Sequence, residues 1–138
     1  MEIRYPAVLH PEETGGYHVQ FVDMDDTFTY GETEEEALFN ATEALSVMLE
    51  AKLEHGQPIP VPSPNVPDGH YVSPDAKTQA ALLVHFARGD RPLADLARAL
   101  GTSWPSAKRL EDPSHWPSLK TLERAAAALG KKLVLAFE

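Results

Sequence analysis

The chain has 138 residues, of which 43% are hydrophobic, so it can bury one good core or two small ones. It contains no cysteine, which excludes disulfide bonds, thiolate zinc sites and cysteine nucleophiles. No apolar run is long enough to cross a bilayer, and the first six residues lack the order of a signal peptide. We therefore expect a cytoplasmic protein with no membrane partner.

The charge is divided unevenly along the chain. Residues 1–70 carry 14 acidic and two basic side chains, a net charge of −12, whereas residues 71–138 carry a net charge of +3. An acidic module is repelled by nucleic acid phosphates and attracted to basic partners, while a mildly basic module can contact phosphates. The charge pattern predicts two modules with different partners.

The first residues alternate between apolar and polar side chains, which predicts strands. A turn at residues 11–16 and an acidic turn at residues 23–26 divide this stretch into three strands, the third ending at Gly31. The apolar side chains predicted to share a sheet face are Ile3, Tyr5, Ala7 and Leu9 on the first strand and Tyr17, Val19 and Phe21 on the second.

A helix is predicted to follow these strands and to cover one face of the sheet. Thr33 and Glu36 form a capping-box pattern, and the acidic residues 34–36 suit the positive end of a helix dipole. Apolar residues then recur at helical spacing until Gly56, which can end a helix in the left-handed conformation.

A proline-rich stretch separates the two modules. Five of the twelve prolines lie within residues 58–67, which predicts an extended, semi-rigid spacer, followed by a possible edge strand at residues 70–72. The sequence thus predicts a first domain over residues 1–64, a linker with a possible edge strand over 65–73, and a second domain over 74–138.

The second module reads as a set of short helices. On the first helix, the residues predicted to face the core are Ala76, Ala80, Leu83, Phe86 and Ala87. On the last helix, over residues 118–129, they are Leu119, Leu122, Ala125, Ala126 and Leu129. Between them, residues 93–100 and a helix from Ser103 to about Glu111 flank Gly101. A small residue at Ala97 and a glycine four places later allow two helices to cross closely, which is typical of a helix-turn-helix.

The final stretch, residues 132–137, is apolar on both faces and predicts a short strand. Two interpretations are open: the strand pairs across a dimer, or it closes the core of its own module.

These residues resemble two known families. Leu96-Ala97, Gly101, Lys108–Glu111 and Leu119–Ala125 are similar to helix-turn-helix repressors of the Cro and cI type, and Gly31–Ala41 followed by Pro58–Ser63 resembles the N-terminal domain of HicB antitoxins. The resemblance implies an α+β fold: a small antiparallel sheet plus helix, like a partial ribonuclease H, joined by a proline-rich linker to an all-helical helix-turn-helix domain ending in a short strand. It also implies an antitoxin that neutralises HicA, a small basic mRNA-cleaving toxin, and represses its own operon.

The candidate DNA-binding residues lie mainly at the start of the second helix of the pair, which enters the major groove in proteins of this type. They are Ser103, Trp104, Pro105, Ser106, Lys108, Arg109 and Lys120, with Arg109 the first choice for a guanine contact. The alternative is that Lys108 and Arg109 form an ordinary solvated surface and that Trp104 packs on the core. Because one module offers few base contacts, we expect a homodimer or higher homo-oligomer on operator DNA.

The candidate toxin-binding residues belong to the acidic part of the first module, because acidic surfaces favour binding of cationic partners. They are Asp23, Asp25, Asp26, Glu32, Glu34 and Glu35, and the alternative is that these charges only confer solubility.

Other functions have weaker support. A magnesium nuclease needs carboxylates that converge from separate elements, whereas Asp23, Asp25 and Asp26 lie in one turn. His10 and His18 could be neighbours across the first hairpin, where a surface role is favoured over metal binding. We expect no enzyme activity, metal or cofactor. The main rival is a stand-alone repressor whose first module senses a ligand or oligomerises.

Overall fold

The computed structural model describes all 138 residues, which form two compact units, Met1–Ala76 and Lys77–Glu138. The first unit contains a four-stranded antiparallel sheet and one long helix. In chain order its elements are β1 (Tyr5–Pro11), β2 (Tyr17–Phe21), β3 (Phe28–Gly31), α1 (Glu34–Glu54) and β4 (His70–Val72).

The strand order is β3-β2-β1-β4, so β3 and β4 are the edges. In the register, Leu9 pairs with Val19 between β1 and β2, and Tyr5 pairs with Val72 between β1 and β4. The predicted hairpin, third strand and edge strand are confirmed. The core of this unit includes Ile3, Tyr5, Ala7, Val19 and Phe21 from the sheet side and Ala37, Ala41, Leu45 and Leu49 from α1.

Both ends of α1 follow the local signals in the sequence. The Thr33 hydroxyl accepts a hydrogen bond from the Glu36 amide at 3.1 Å, which satisfies one of the free donors at the helix start. The first turn is acidic, Lys52 lies in the last turn, and Gly56 adopts a positive φ of 63° just beyond the end. The predicted helix is confirmed.

Two tyrosines of the sheet hydrogen-bond to the proline-rich stretch. Tyr5 donates a hydrogen bond to the carbonyl of Pro60 at 2.7 Å, and Tyr71 donates one to the carbonyl of Ser63 at 2.6 Å. Burial, with a smaller contribution from the charge of Asp23, raises the pKa of Tyr5, so its hydroxyl remains a donor. The expectation of a simple spacer is therefore corrected, because these residues are anchored on the first unit and β4 completes its sheet.

The second unit contains α2 (Ala76–Arg88) apart from its first residue, α3 (Leu93–Leu100), α4 (Trp104–Arg109) and α5 (Leu119–Ala128). Its core draws on all four helices and the ends that follow them. The buried residues are Ala80, Val84, Leu96, Ala97, Ala107, Leu110, Leu122, Ala125 and Leu129.

Two predicted inward faces need correction. On α2, Leu82 and Val84 are fully buried, whereas Leu83 and Phe86 are only half-buried and Ala76 is exposed. Ala80 and Val84 face the helical core, but Thr78 and Leu82 are buried on another side of the helix, so no single stripe describes α2. On α5, Leu119 is exposed and Ala126 is half-buried, because Leu122, Ala125 and Leu129 form the inner row.

The predicted terminal strand is absent from the single chain. Residues 131–138 lie in neither a helix nor a strand, and only Leu133 packs against the helical core. Of the two interpretations, closure of the module's own core holds for Leu133 alone, and pairing across a dimer stays a prediction. Separately, no helix combines the length and the apolar character that a bilayer crossing demands.

Candidate functional site

The turn between α3 and α4 has the geometry that the sequence predicts. Ala97 is buried, and Gly101 adopts a left-handed φ of 64° where α3 ends. The Thr102 amide donates to the Ala97 carbonyl at 3.0 Å, which closes the helix end. The Ser103 hydroxyl then accepts from the Ser106 amide at 3.3 Å and caps α4.

Helix α4 presents one side to solvent and one to the core. Ala107 and Leu110 are buried, whereas Lys108 and Arg109 are exposed and Trp104 is 48% exposed. The Lys108 ammonium nitrogen lies 5.2 Å from the centre of the Trp104 ring, a cation–π distance. Trp104 therefore does not pack on the core. The other candidates in this stretch, Ser103 and Pro105, are exposed and Ser106 is half-buried.

Behind α4, a partly buried ionic cluster fixes its C-terminal end. Glu111 accepts hydrogen bonds from Arg88 Nε at 2.6 Å and Nη2 at 2.9 Å, and His85 Nδ1 lies 2.9 Å from the same carboxylate. Burial opposes ionisation of Glu111, but the hydrogen bonds and charges of His85 and Arg88 outweigh it and lower its pKa. The cluster joins α2 to Glu111, two residues after α4 ends, and no local pattern in the sequence indicates it.

Lys120 lies at the second position of α5 and is exposed. The Ser118 hydroxyl accepts from the Thr121 amide at 3.0 Å and caps this helix. Lys120 thus extends from a well-defined helix start, separate in sequence from the α4 candidates.

The six acidic candidates of the first unit fall into two groups. Asp25, Glu32, Glu34 and Glu35 are exposed, so their charges are available to a partner. Asp23 is half-buried: one carboxylate oxygen accepts from the Ser63 amide at 2.9 Å, and the other accepts from the Ser63 hydroxyl. Asp23 therefore fastens the proline-rich stretch to the turn after β2.

Asp26 also has a partner within the unit. Its carboxylate lies 3.3 Å from the Lys52 ammonium group and accepts from the Thr27 hydroxyl at 3.2 Å. Slight burial opposes ionisation, but Lys52 and then Thr27 outweigh it, so the pKa of Asp26 is lowered. Its side chain remains 59% exposed, which leaves the carboxylate accessible.

An open groove between β3 and α1, not foreseen from the sequence, lies beside these acids. Phe28 on β3 and Val47 on α1 contribute apolar surface and are 59% and 65% exposed, and Asp26 and Glu43 contribute carboxylates. Phe39, Glu43 and Val47 are spaced four apart and so form one outward row on α1. The two apolar residues of that row, Phe39 and Val47, lie away from the core face and were the signal available in the sequence.

The backbone fixes the distance between β3 and α1, which form the two walls of the groove. A Cβ atom at Gly31 would lie 2.3 Å from the Ala37 amide nitrogen, so only glycine allows β3 and the start of α1 to approach so closely. The Asn40 side chain donates to the Tyr30 carbonyl at 2.8 Å and ties the two elements together.

Comparison with known proteins identifies the family. Residues 4–80 match the family described as "HicB_like antitoxin of bacterial toxin-antitoxin system". The chain belongs to this HicB-like antitoxin family. It is 33% identical to Antitoxin HicB 1 of Photorhabdus laumondii over 99% of this chain and 88% of the relative. It is 34% identical to Antitoxin HicB of Escherichia coli over 96% of this chain and 98% of the relative.

A solved structure is also similar to this HicB-like antitoxin. It is titled "Toxin-Antitoxin complex from Streptococcus pneumoniae", with 20% identity and a TM-score of 0.46, covering 77% of this chain and 93% of that chain.

The histidine pair of the HicB-like antitoxin lies where the sequence predicted. His10 and His18 are directly paired between β1 and β2, with ring centres 6.4 Å apart. No group of three or more His, Cys, Asp or Glu side chains in the chain is placed to hold a metal ion. The carboxylates of the acidic turn are therefore close in the sequence but do not converge on a common metal site.

Proposed function

We propose that this antitoxin neutralises a small basic mRNA-cleaving toxin of the HicA type with its first unit and represses its own operon with its second. The observation that carries the proposal is the exposed apolar groove between β3 and α1, bordered by carboxylates, on a unit with very few basic residues. In its second task the protein acts as a homodimer or higher homo-oligomer on operator DNA.

The toxin-binding part is supported by the surroundings of the groove. Binding sites for proteins combine an apolar centre, which supplies affinity, with charged surroundings, which supply association rate and specificity. Phe28 and Val47 provide the apolar centre, and Asp26 and Glu43 provide negative charge next to it. The exposed Asp25, Glu32, Glu34 and Glu35 add to the acidic field that a cationic partner would meet. Asp23, by contrast, contributes mainly by holding the unit together.

A substitution that introduces a positive charge into the groove tests this part. Val47→Lys should abolish relief of toxicity when the antitoxin is co-expressed with the short basic reading frame next to its own, and should prevent copurification of the two proteins. Val61→Lys is the matched control, because Val61 is 66% exposed and lies outside the groove. Equal loss of neutralisation in both variants, or in neither, would contradict the groove as the binding site.

The DNA-binding part is supported by the outward side of α4. Lys108 and Arg109 are exposed on a helix whose other side is buried, as a helix in the major groove requires. A bidentate arginine contact to guanine is worth about 1–3 kcal/mol of discrimination, and a lysine contact to phosphate adds affinity that depends on salt. Lys120 is a candidate phosphate contact.

Operator binding by the full-length protein tests this part. Arg109→Ala should weaken binding to the upstream region of its own operon by about 1–3 kcal/mol, or roughly 5–150-fold, and relax base preference at one position of each half-site. Lys131→Ala, which removes an exposed charge outside the helices, should change affinity much less. A protein that binds this DNA but fails to neutralise the toxin would be a stand-alone repressor.

A further inference from the structure

The segment after α5 leaves a cluster of apolar side chains without cover in the single chain. The Lys131 amide donates to the Ala126 carbonyl at 2.8 Å, and Leu133 packs against the helical core, so the start of the segment is fixed to its unit. Beyond that point Val134 is 78% exposed, Leu135 is 65% exposed and Phe137 is fully exposed. Apolar residues held in place but solvated are typical of a surface that another chain covers.

The sequence of this segment is complementary to itself when two copies run antiparallel. Two-fold symmetry of an antiparallel pair requires one residue to lie opposite its own copy on the axis. With Leu135 on the axis, Leu133 comes opposite Phe137 and Val134 opposite Ala136. The same alignment brings the charged ends together, with Lys132 opposite Glu138.

The neighbouring alignments lack this match. With Val134 on the axis, Leu133 comes opposite Leu135, but Lys132 comes opposite Ala136 and Lys131 opposite Phe137. With Ala136 on the axis, Leu135 comes opposite Phe137, but the charged Glu138 comes opposite the apolar Val134. Opposite charges across strands are favourable and apolar pairs stabilise a sheet, so the alignment on Leu135 is preferred.

We propose that residues 132–138 pair with the same segment of a second copy as a two-stranded antiparallel ribbon, with Leu135 on the two-fold axis. Leu133, Leu135 and Phe137 of both strands then share one face, and Leu133 already joins the helical core. The ribbon places Leu135 and Phe137 on the same face as Leu133 and so extends the helical core of the second unit in each copy. This inference rests on the dimerisation part of the proposed function and names its interface.

Cysteine substitution tests the alignment directly, because the chain contains no cysteine of its own. Directly opposite Cβ atoms in an antiparallel pair lie about 4.5–5.5 Å apart and diagonal ones about 7–8 Å, so disulfide formation reports the register. Under mild oxidation, full-length Leu135→Cys should convert to a band of twice the mass on a non-reducing gel. Val134→Cys and Ala136→Cys are the matched controls and should cross-link far more slowly. A maximum at either control position, or equal rates at all three, would overturn the proposal.

A second measurement separates the ribbon from dimerisation in general. Leu135→Asp places two like charges on the axis and should reduce the solution mass to that of a monomer, while the exposed Val61→Asp should leave a dimer. A wild-type dimer that neither cross-links at Leu135→Cys nor dissociates on Leu135→Asp refutes the ribbon and leaves dimerisation through another surface. A monomeric wild-type protein refutes both.

Discussion

The acidic turn of the first unit and helix α4 of the second unit place their charges in different ways. In the turn, Asp23 is bonded to Ser63 and Asp26 to Lys52, so two of its three carboxylates have partners within the unit. Along α4, Lys108 and Arg109 stay exposed, and the ionic bonding is concentrated one residue beyond Leu110, at Glu111. Residues of one charge type therefore divide into those that hold the fold and those available to a partner.

This division depends on contacts that span many residues. Asp23 meets Ser63 forty positions away, and Glu111 meets Arg88 twenty-three positions away. Asp25 looks like Asp23 in the sequence, yet it is exposed. Arg98 looks like Arg88, yet it pairs with a carboxylate at the surface. Substitution of a charge with a partner inside the unit should therefore lower stability, whereas substitution of an exposed charge should mainly affect binding.

The largest effect is expected at Glu111. Glu111→Ala leaves Arg88 partly buried without its carboxylate partner and should lower the free energy of unfolding of the second unit by roughly 3 kcal/mol. Asp95→Ala, which removes the partner of the exposed Arg98, should cost less than about 1 kcal/mol. Both tryptophans, Trp104 and Trp116, lie in the second unit, so urea unfolding followed by their fluorescence isolates it. Equal costs would mean that burial does not distinguish the two ion pairs.

The next effect is expected at Asp23. Asp23→Ala removes the acceptor for the Ser63 amide and hydroxyl and should destabilise the first unit by about 1–3 kcal/mol. Asp25→Ala, at an exposed position, should leave stability unchanged and reduce only toxin affinity. All four tyrosines lie in the first unit, so tyrosine absorbance during unfolding measures it selectively. A large stability loss in Asp25→Ala would remove the contrast between these neighbours.

Acid should destabilise the second unit through Glu111. Its pKa is lower in the folded chain than the ordinary 4.5, so its contribution to stability is complete above that pH. The contribution is lost as the pH falls below 4.5 and through the folded pKa, because the unfolded chain then binds the proton more readily. In Glu111→Gln this part of the pH dependence should disappear, as measured by the urea midpoint of tryptophan fluorescence at several pH values. An unchanged slope would assign the acid sensitivity to other carboxylates.

The smallest effect is expected from the exposed acids at the start of α1. Glu34→Gln with Glu35→Gln should slow toxin association a few-fold at low salt and have little effect at high salt, because exposed charges act mainly on association and are screened. The matched pair Glu12→Gln with Glu13→Gln, in the turn between β1 and β2, should change the rate less. Equal slowing would indicate that total charge, not its position, governs association.

Features with a local signal were predictable from the sequence. Thr33 with Glu36 and then Gly56 set the two ends of α1, and Ala97 with Gly101 set the turn before α4. In each case the residues that form the structure are near one another in the chain. The exposure of Lys108 and Arg109 followed from the same helical spacing, because Ala107 and Leu110 take the inner positions.

Features that depend on distant contacts were not predictable. A single apolar stripe predicts Leu83 and Phe86 on the inward side of α2, whereas the helix is buried on two sides. The attachment of the proline-rich stretch required Tyr5, Asp23 and Tyr71 to converge on it, which no spacing rule anticipates. The groove was missed for the same reason, since Phe28 and Val47 become neighbours only after β3 meets α1.

The close approach at Gly31 separates the shape of the groove from its chemistry. Since the missing side chain and the Ala37 backbone set the distance between the walls, Phe28, Glu43 and Val47 can be exchanged without moving them. If the groove binds the toxin, as proposed, related antitoxins can diverge in partner choice while keeping one scaffold. For the same reason, variation of these three positions alone is a route to toxin–antitoxin pairs that do not cross-react with other pairs.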